Sequence, residues 1–210
     1  AALPAAGETD SEMNKNICLQ AEHLANHWGG VCAKKIPQMP EEILYGSIES
    51  GGIVCGLDTA SIEPICYDYQ KQYYLVISGT PQSGKSQTLH MLGRQMKEKL
   101  GGSLHLIDAA RSAPADLQAA AAGYATTAEE IHKFFDRLMP ILQERSNQPV
   151  EKRGEFMPII VLIDDFSKFY SVVNDKTVSR LEAISKLCDG LRVYLLVAGD
   201  ATELSVYRSK

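Results

Sequence analysis

Apolar runs alternate with helix-like patterns along most of the chain. Four of these runs predict strands: YYLVIS at 73–78, LHLID at 104–108, IIVLID at 159–164 and VYLLVAG at 193–199. Strands that are apolar on both faces are typical of a parallel sheet covered by helices on its two sides. Alternation of strands with helices favours the same arrangement. The pattern therefore predicts an α/β fold, with a mostly parallel sheet and helices on both faces.

Apolar residues at helical spacing predict the helices. They are expected at 12–28, 85–100, 126–145 and 177–188, with short ones near 41–48 and in the alanine cluster 119–122. The helix at 126–145 is expected to open on a Thr cap and to kink at Pro140. Two short strands are predicted at 53–58 and 62–68, and Pro64 places the second of them at a sheet edge.

Length and composition are those of a soluble globular protein with one main domain. The chain has 210 residues, of which 45% are hydrophobic and 22% are charged. We predict a flexible tail or linker at 1–14 and a single domain over 15–210. The net charge of -5 gives no sign of a nucleic-acid surface, although a basic stripe can lie within an acidic total. No apolar run approaches the roughly 20 residues that span a bilayer.

The segment GTPQSGKS at 79–86 matches G-x-x-x-x-G-K-[ST] at every defined position. A predicted strand precedes it and a predicted helix follows, as a phosphate-binding P-loop requires. The alternative is a glycine-rich turn with an exposed lysine. The P-loop interpretation predicts ATP as the ligand. Its binding residues would be Gly79, Thr80, Pro81, Gln82, Ser83, Gly84, Lys85, Ser86 and Gln87.

Each part of this segment has a mechanical task in the P-loop interpretation. Gly79 and Gly84 permit backbone angles and a close approach that a side chain would obstruct. The amides from roughly Gln82 through Ser86 can turn around the phosphates at the positive end of the helix. Lys85 brings positive charge to the β- and γ-phosphates, and the Ser86 hydroxyl can ligate Mg²⁺.

Two aspartates, Asp164 and Asp165, end the strand at 159–164. A P-loop needs an acidic residue on the metal side, at the carboxyl end of a neighbouring strand, and Asp164 is predicted to hold Mg²⁺ directly or through water. The alternative is an ordinary cap or turn residue. Asp165 is the candidate catalytic base, at a position where many P-loop ATPases have Glu.

Aspartate at position 165 has the charge of glutamate but is one methylene shorter. Its oxygens therefore lie up to about 1.5 Å further back, the length of one carbon–carbon bond. A misplacement of about 1 Å can lower a rate around 100-fold. Asp165 is therefore either a poor catalytic base or a residue without a catalytic task, whereas nucleotide binding is expected to be unaffected.

Five other polar residues are weaker candidates. Asp200 and Thr202 follow the last predicted strand, where a polar group could sense the γ-phosphate or simply belong to a polar loop. Arg145, Arg153 and Arg180 could be donated across a subunit interface, or could be ordinary surface arginines.

The order of several segments resembles a known family. KKIPQMPEEI, VCGLD and IEPICYD precede the P-loop strand, and LHLID and IIVLIDD follow it. This order resembles the FtsK/SpoIIIE-type P-loop ATPase domains, and more narrowly the C-terminal ATPase domains of EssC-type type VII secretion ATPases. The resemblance covers roughly residues 15–205, and it implies a RecA/FtsK-like P-loop NTPase fold that binds ATP and Mg²⁺.

The resemblance also implies a cellular setting. It implies a cytoplasmic module at the cytoplasmic face of the bacterial cell membrane, tethered through other parts of its parent chain. Sister ATPase domains and small helical secreted proteins would be its partners. Because the family fold continues with more strands after VAGDATELSVYRSK, the resemblance implies that the C-terminal end of the domain lies outside this chain.

The leading hypothesis is an ATP-binding domain of a secretion ATPase, with weak or no hydrolysis in isolation. One alternative is an active FtsK-like DNA translocase motor. The acidic composition and the lack of a Lys- and Arg-rich segment count against it, so nucleic acid is not an expected partner. The other alternative is a substrate-recruitment module in which nucleotide is a structural ligand.

Overall fold

The computed structural model describes residues 7–27, 29, 36, 38–43, 48 and 50–200. The chain divides into two compact units, Ala1–Met39 and Pro40–Lys210. The first contains α1 (Asp10–His27), which begins inside the predicted tail because Asp10 and Glu12 stabilise its first turn. The predicted helix near 41–48 is not present at residues 41–43, and residues 44–47 lie outside the described part. The division into a tail and one domain stays a prediction.

The described residues of the second unit form two sheets. The small one pairs β1 (Ile53–Leu57) with β2 (Pro64–Tyr67) in antiparallel fashion. The large one is parallel throughout, has the order β3-β7-β6-β4-β5, and consists of β3 (Tyr74–Gly79), β4 (Ser103–Asp108), β5 (Gly123–Ala125), β6 (Ile159–Asp164) and β7 (Val193–Asp200). The predicted parallel α/β fold is therefore confirmed, and β5 was not predicted.

Five α-helices accompany the large sheet in the part of the unit that the structure describes. They are α2 (Lys85–Leu100), α3 (Ala115–Ala120), α4 (Ala128–Ser146), α5 (Phe166–Val172) and α6 (Asp175–Leu187), and a 3₁₀ turn covers Val150–Glu155. A capping box of Thr127 and Glu130 begins α4, as the Thr cap predicted, and the helix continues through Pro140. No helix in the described part of the chain is both long and apolar enough to cross a membrane.

The core has one layer on each face of the large sheet, and β6 shows why. All six residues of β6 are buried, and successive side chains point to opposite faces. Ile160 and Leu162 pack in the cluster that contains the buried side of α2. Val161 and Ile163 pack in the other cluster, with α4 and α6. Helices therefore cover both faces, as the uninterrupted apolar run of this strand predicted.

The strand order determines which segments lie close together at the carboxyl ends of the strands. β7 lies between β3 and β6, so the prediction that Asp164 ends a neighbour of the P-loop strand is wrong. The two strands are nevertheless separated by β7 alone, so their carboxyl ends lie about two strand spacings, roughly 10 Å, apart. Since all five strands are parallel, their carboxyl ends meet at one edge, where ligands bind in such sheets.

Candidate functional site

The segment between β3 and α2 folds as a tight loop. Gly84 has φ of 86° and immediately precedes the first residue of α2, and Gln82 also has a positive φ of 63°. A Cβ atom at Gly79 would come within 2.5 Å of the Ser83 hydroxyl oxygen, so the Ser83 side chain would have to rotate away. The positive φ at Gly84 is an angle that glycine adopts readily, as the motif predicted, whereas the close approach of phosphate at the two glycines stays a prediction.

The charge at this loop suits an anion. The first turn of α2 has no acidic residue, and its backbone N–H groups form the positive end of the helix. The ammonium group of Lys85 donates to the carbonyl oxygens of Gly79 at 3.1 Å and Thr80 at 2.7 Å. The loop thus holds a cation and a helix N-terminus side by side, which fits a phosphate group.

Ser86 and Asp164 meet at the start of α2. The Ser86 hydroxyl donates to Asp164 Oδ1 at 2.8 Å, although the two residues lie 78 positions apart in the chain. Hydroxyl and carboxylate oxygens are ligands that Mg²⁺ takes, commonly together with substrate phosphates. No group of three or more His, Cys, Asp or Glu residues that could hold a metal occurs in the described part. The pair therefore fits a metal that phosphate oxygens help to bind.

Asp164 is 1% exposed and is surrounded by donors. Its Oδ1 also accepts from the backbone N–H of Asp165 at 3.0 Å, and its Oδ2 accepts from the Ser112 hydroxyl at 3.0 Å. Burial raises the pKa of Asp164, but the contacts with His90, Ser86 and Ser112 outweigh burial and lower the pKa below its ordinary value. The carboxylate is therefore ionised at neutral pH.

Asp165 has a structural task. It lies in the left-handed region with φ of 53°, and its Oδ1 accepts from the backbone N–H of Lys168 at 3.1 Å, which caps the N-terminus of α5. Aspartate suits this position because its short polar side chain tolerates left-handed angles and caps helices. The α5 helix was not predicted from the sequence, and neither was this cap.

A cleft of about 550 Å³ lies over these residues. Lys85 and Ser86 line one side, Asp164 and Asp165 another, and Asp200 also reaches it. Asp200 ends β7 and is the register partner of Gly79. The structure thus brings six of the candidate residues to one opening, namely Pro81, Lys85, Ser86, Asp164, Asp165 and Asp200. Thr202 lies outside the described residues.

Behind the cleft is a second buried carboxylate, Asp108, which sequence reasoning missed. It ends β4, directly beside Asp164 in the strand register. It accepts from the backbone N–H groups of Ser112 at 3.1 Å and Ala113 at 2.9 Å, and from the Tyr124 hydroxyl at 3.0 Å. An aspartate directly after an apolar strand was the signal that identified Asp164, and the same signal could have identified Asp108.

The candidate arginines are all engaged within the chain. Arg145 donates to the carbonyl oxygens of Leu191 and Met157, both at 2.8 Å. Arg180 forms an ion pair with Asp136. Arg153 donates to the Ser146 carbonyl oxygen at 3.4 Å. Arg153 Nε is buried without a hydrogen-bond partner among the described residues, and donation of any of the three arginines across a subunit interface stays a prediction.

Comparisons with known proteins agree with the fold. No family model matches the chain. The ESX secretion system protein EccC of Geobacillus thermodenitrificans is 21% identical over 96% of this chain and 15% of its own length. The solved cytoplasmic domain of EssC is 20% identical, with a TM-score of 0.69 over 97% of this chain and 43% of that one.

A second solved relative has the same fold. Thermomonospora curvata EccC (ATPases 2 and 3), in complex with a signal sequence peptide, is 16% identical, with a TM-score of 0.69 over 96% of this chain and 39% of that one. The predicted resemblance to EssC-like ATPase domains of the FtsK/SpoIIIE type is thus confirmed, and so is the P-loop ATPase fold. The chain spans only 15% of the curated relative.

Proposed function

We propose that this EssC-like domain binds ATP and Mg²⁺ as part of a type VII secretion ATPase, and that it hydrolyses ATP slowly or not at all in isolation. The observation that carries the proposal is the 2.8 Å bond between Ser86 and Asp164 at the N-terminus of α2. It joins the phosphate-binding loop to an ionised carboxylate, which is the arrangement that a nucleotide with a bound metal needs.

In this proposal each residue has a defined task. The amides from Gln82 through Ser86 would donate to the phosphates, and Lys85 would exchange its two loop carbonyls for phosphate oxygens. Ser86 and Asp164 would hold Mg²⁺, which neutralises negative charge on the phosphates. All of these groups lie on the loop, on α2 or at the end of β6, so they are held by packed elements.

Slow hydrolysis follows from the geometry of Asp165. Its carboxylate caps α5 through the N–H of Lys168, so one of its oxygens is already committed to a structural bond. Its side chain is also shorter than the glutamate of many P-loop ATPases. A general base has to come within hydrogen-bond reach of the attacking water. Binding of ATP needs no such contact and is expected to proceed.

The partners are proposed from the relatives. The solved EccC structure includes a signal sequence peptide, and both solved relatives are longer chains, one of them named as ATPases 2 and 3. These observations support sister ATPase domains and small helical secreted proteins as partners. The solved EssC relative is a cytoplasmic domain, which supports a location at the cytoplasmic face of the membrane, reached through other parts of the parent protein.

The proposal is tested by measuring Mg·ATP affinity and ATP turnover in parallel. We expect a Kd between about 1 µM and 1 mM for the chain, and turnover near the detection limit. Lys85→Ala should weaken binding roughly 10- to 100-fold, because it removes a charge-assisted contact with phosphate. Lys176→Ala, at an exposed position in α6, is the matched control and should bind normally.

Two results would contradict the proposal. Absence of ATP binding to the wild-type chain would refute nucleotide binding, and brisk hydrolysis lost in Lys85→Ala would refute slow turnover. Asp165→Glu tests the cause, since a gain in turnover would mean that side-chain length limits catalysis. We expect a gain, because the longer side chain would release the cap of α5 and reach further toward the attacking water.

Substrate recruitment is the second candidate function, and the peptide in the EccC structure favours it. In that case a small helical secreted protein would bind equally well to the wild type and to Lys85→Ala. Salt-dependent DNA binding would instead favour a translocase motor. Both assays can be performed with the same purified variants.

A further inference from the structure

We propose that His90 and Ser112 are positioning residues that hold one oxygen of Asp164, so that the other oxygen stays directed at Ser86. The inference rests on the proposed function, because the orientation of this carboxylate matters most when it helps to bind Mg²⁺ with a nucleotide. Neither residue belongs to the P-loop motif.

The two oxygens of Asp164 have separate surroundings. Oδ1 is contacted by the Ser86 hydroxyl and by the N–H of Asp165. Oδ2 is contacted by the Ser112 hydroxyl at 3.0 Å and by His90 Nε2 at 3.3 Å. A carboxylate can rotate about its own axis, and contacts on both oxygens prevent that rotation. The contacts at Oδ2 therefore determine which way Oδ1 points.

His90 is difficult to explain as a packing residue. It lies on the buried side of α2 with Leu89, Leu92 and Met96, and it is 1% exposed. Neither of its ring nitrogens has a partner with hydrogen-bond geometry among the described residues. Burial of a polar group without hydrogen bonds lowers stability, so an apolar side chain would suit this position better. The contact with Asp164 offers a functional explanation for an imidazole at this buried position.

Ser112 reaches Asp164 from the other side and is held by Asp108. The loop after β4 donates its Ser112 and Ala113 N–H groups to that carboxylate, and Tyr124 adds its hydroxyl. The Ser112 hydroxyl lies 3.4 Å from Asp108 Oδ1 but 3.0 Å from Asp164 Oδ2. Because a hydroxyl has one proton, the shorter contact to Asp164 receives it. Asp108 thus anchors the loop, and Ser112 connects the loop to the site.

Loss of His90 or Ser112 should affect the binding of Mg²⁺ rather than the binding of phosphate. Partners of ligating carboxylates keep them oriented, and their loss typically lowers metal affinity 10- to 100-fold. The phosphate contacts of the P-loop do not involve Oδ2. Loss of either positioning residue should therefore weaken ATP binding in the presence of Mg²⁺ and leave metal-free binding almost unchanged.

The test compares ATP dissociation constants in Mg²⁺ and in EDTA, together with the melting temperature. The variants are Ser112→Ala, His90→Leu and His90→Gln, and the control is Ser185→Ala, which removes a similar exposed hydroxyl far from the site. Ser112→Ala and His90→Leu should each reduce the Mg²⁺-dependent gain in affinity about tenfold. His90→Gln should restore most of it, because its amide N–H can occupy the place of Nε2.

The outcomes separate the two proposals. If the wild type binds ATP, and Mg²⁺ increases the ATP affinity of Ser112→Ala and His90→Leu as much as that of the wild type, the positioning role alone is overturned. An equal loss of affinity in Mg²⁺ and in EDTA also overturns it, because the effect would then be structural. Absence of ATP binding to the wild type refutes the proposed function and this inference together. If His90→Leu fails to fold, Ser112→Ala decides the question, since Ser112 is exposed.

Discussion

Replacement of Gly93 by alanine should destabilise the domain, because α2 packs against β6 at this glycine. A Cβ atom at position 93 would lie 2.4 Å from Leu162 Cδ1 and 3.4 Å from Leu162 Cδ2. Leu162 is fully buried on the central strand β6, so its side chain has no open space into which it can move. The added methyl group therefore has to displace either Leu162 or the helix.

Two opposing terms set the magnitude. Overpacking of a filled core costs about 1–3 kcal/mol. Alanine in place of glycine in a helix contributes roughly 1 kcal/mol in the other direction. We therefore expect Gly93→Ala to lower the free energy of unfolding by roughly 0–2 kcal/mol. Because α2 carries Ser86 and β6 carries Asp164, the same displacement should also weaken Mg²⁺-dependent ATP binding.

Urea denaturation of a double-mutant cycle provides the measurement. Leu162→Val removes the clashing δ-carbons, so Gly93→Ala should cost about 1 kcal/mol less in that background than in the wild type. Gly154→Ala is the control, because no atom of the described residues lies within 4 Å of its added Cβ, and the stability of this variant should change little. A Gly93→Ala protein more stable than the wild type by the full helix gain, with no coupling to position 162, would refute the reasoning.

Three further variants test other parts of the structure. Burial lowers the pKa of His105, and the nearby charges of Arg137 and Lys97 lower it further. As the pH falls, the unfolded chain therefore binds a proton at this histidine before the folded chain does, so the free energy of unfolding should fall below about pH 6.5. Denaturation at pH 7.5 and 5.5 should show a smaller fall in His105→Gln than in the wild type. Arg145→Ala should lower the free energy of unfolding, measured by urea denaturation, by roughly 2 kcal/mol and leave ATP affinity unchanged. A loss of ATP affinity would instead indicate that Arg145 contributes to the nucleotide site. Thr127→Ala should cost about 1 kcal/mol, and unchanged stability would count against the capping box.

Patterns within one segment predicted most of the large sheet. The apolar runs of β4, β6 and β7 locate these strands within one residue at either end, because a strand buried on both faces leaves no other pattern in the sequence. The phosphate-binding loop was likewise predictable, since its glycines, lysine and serine lie within eight consecutive residues. For these elements the local sequence alone was enough to predict the structure.

Features that depend on contacts between distant segments were not predictable. β5 has only three residues and exists because it pairs with β4. The place of β7 between β3 and β6 depends on packing across the whole sheet. His90 lies in a helix that was predicted, but its contact with Asp164 joins two segments that no local pattern relates. The sequence left open whether Asp165 is a poor catalytic base or has no catalytic task, because its contact with the N-terminus of α5 could not be predicted.

The position of β3 at the edge of the large sheet also bears on how the protein is synthesised. Within the described residues β3 pairs with β7 alone, and Tyr74 is matched with Leu195. Among the described strands, the one that leads into the phosphate-binding loop therefore gains its partner only when the segment at 193–200 has left the ribosome. Pairing across such a separation makes folding slow, and intermediates with unpaired strands are prone to aggregate. A nascent chain that ends before β7 should accordingly contain the whole P-loop motif and yet have no nucleotide site.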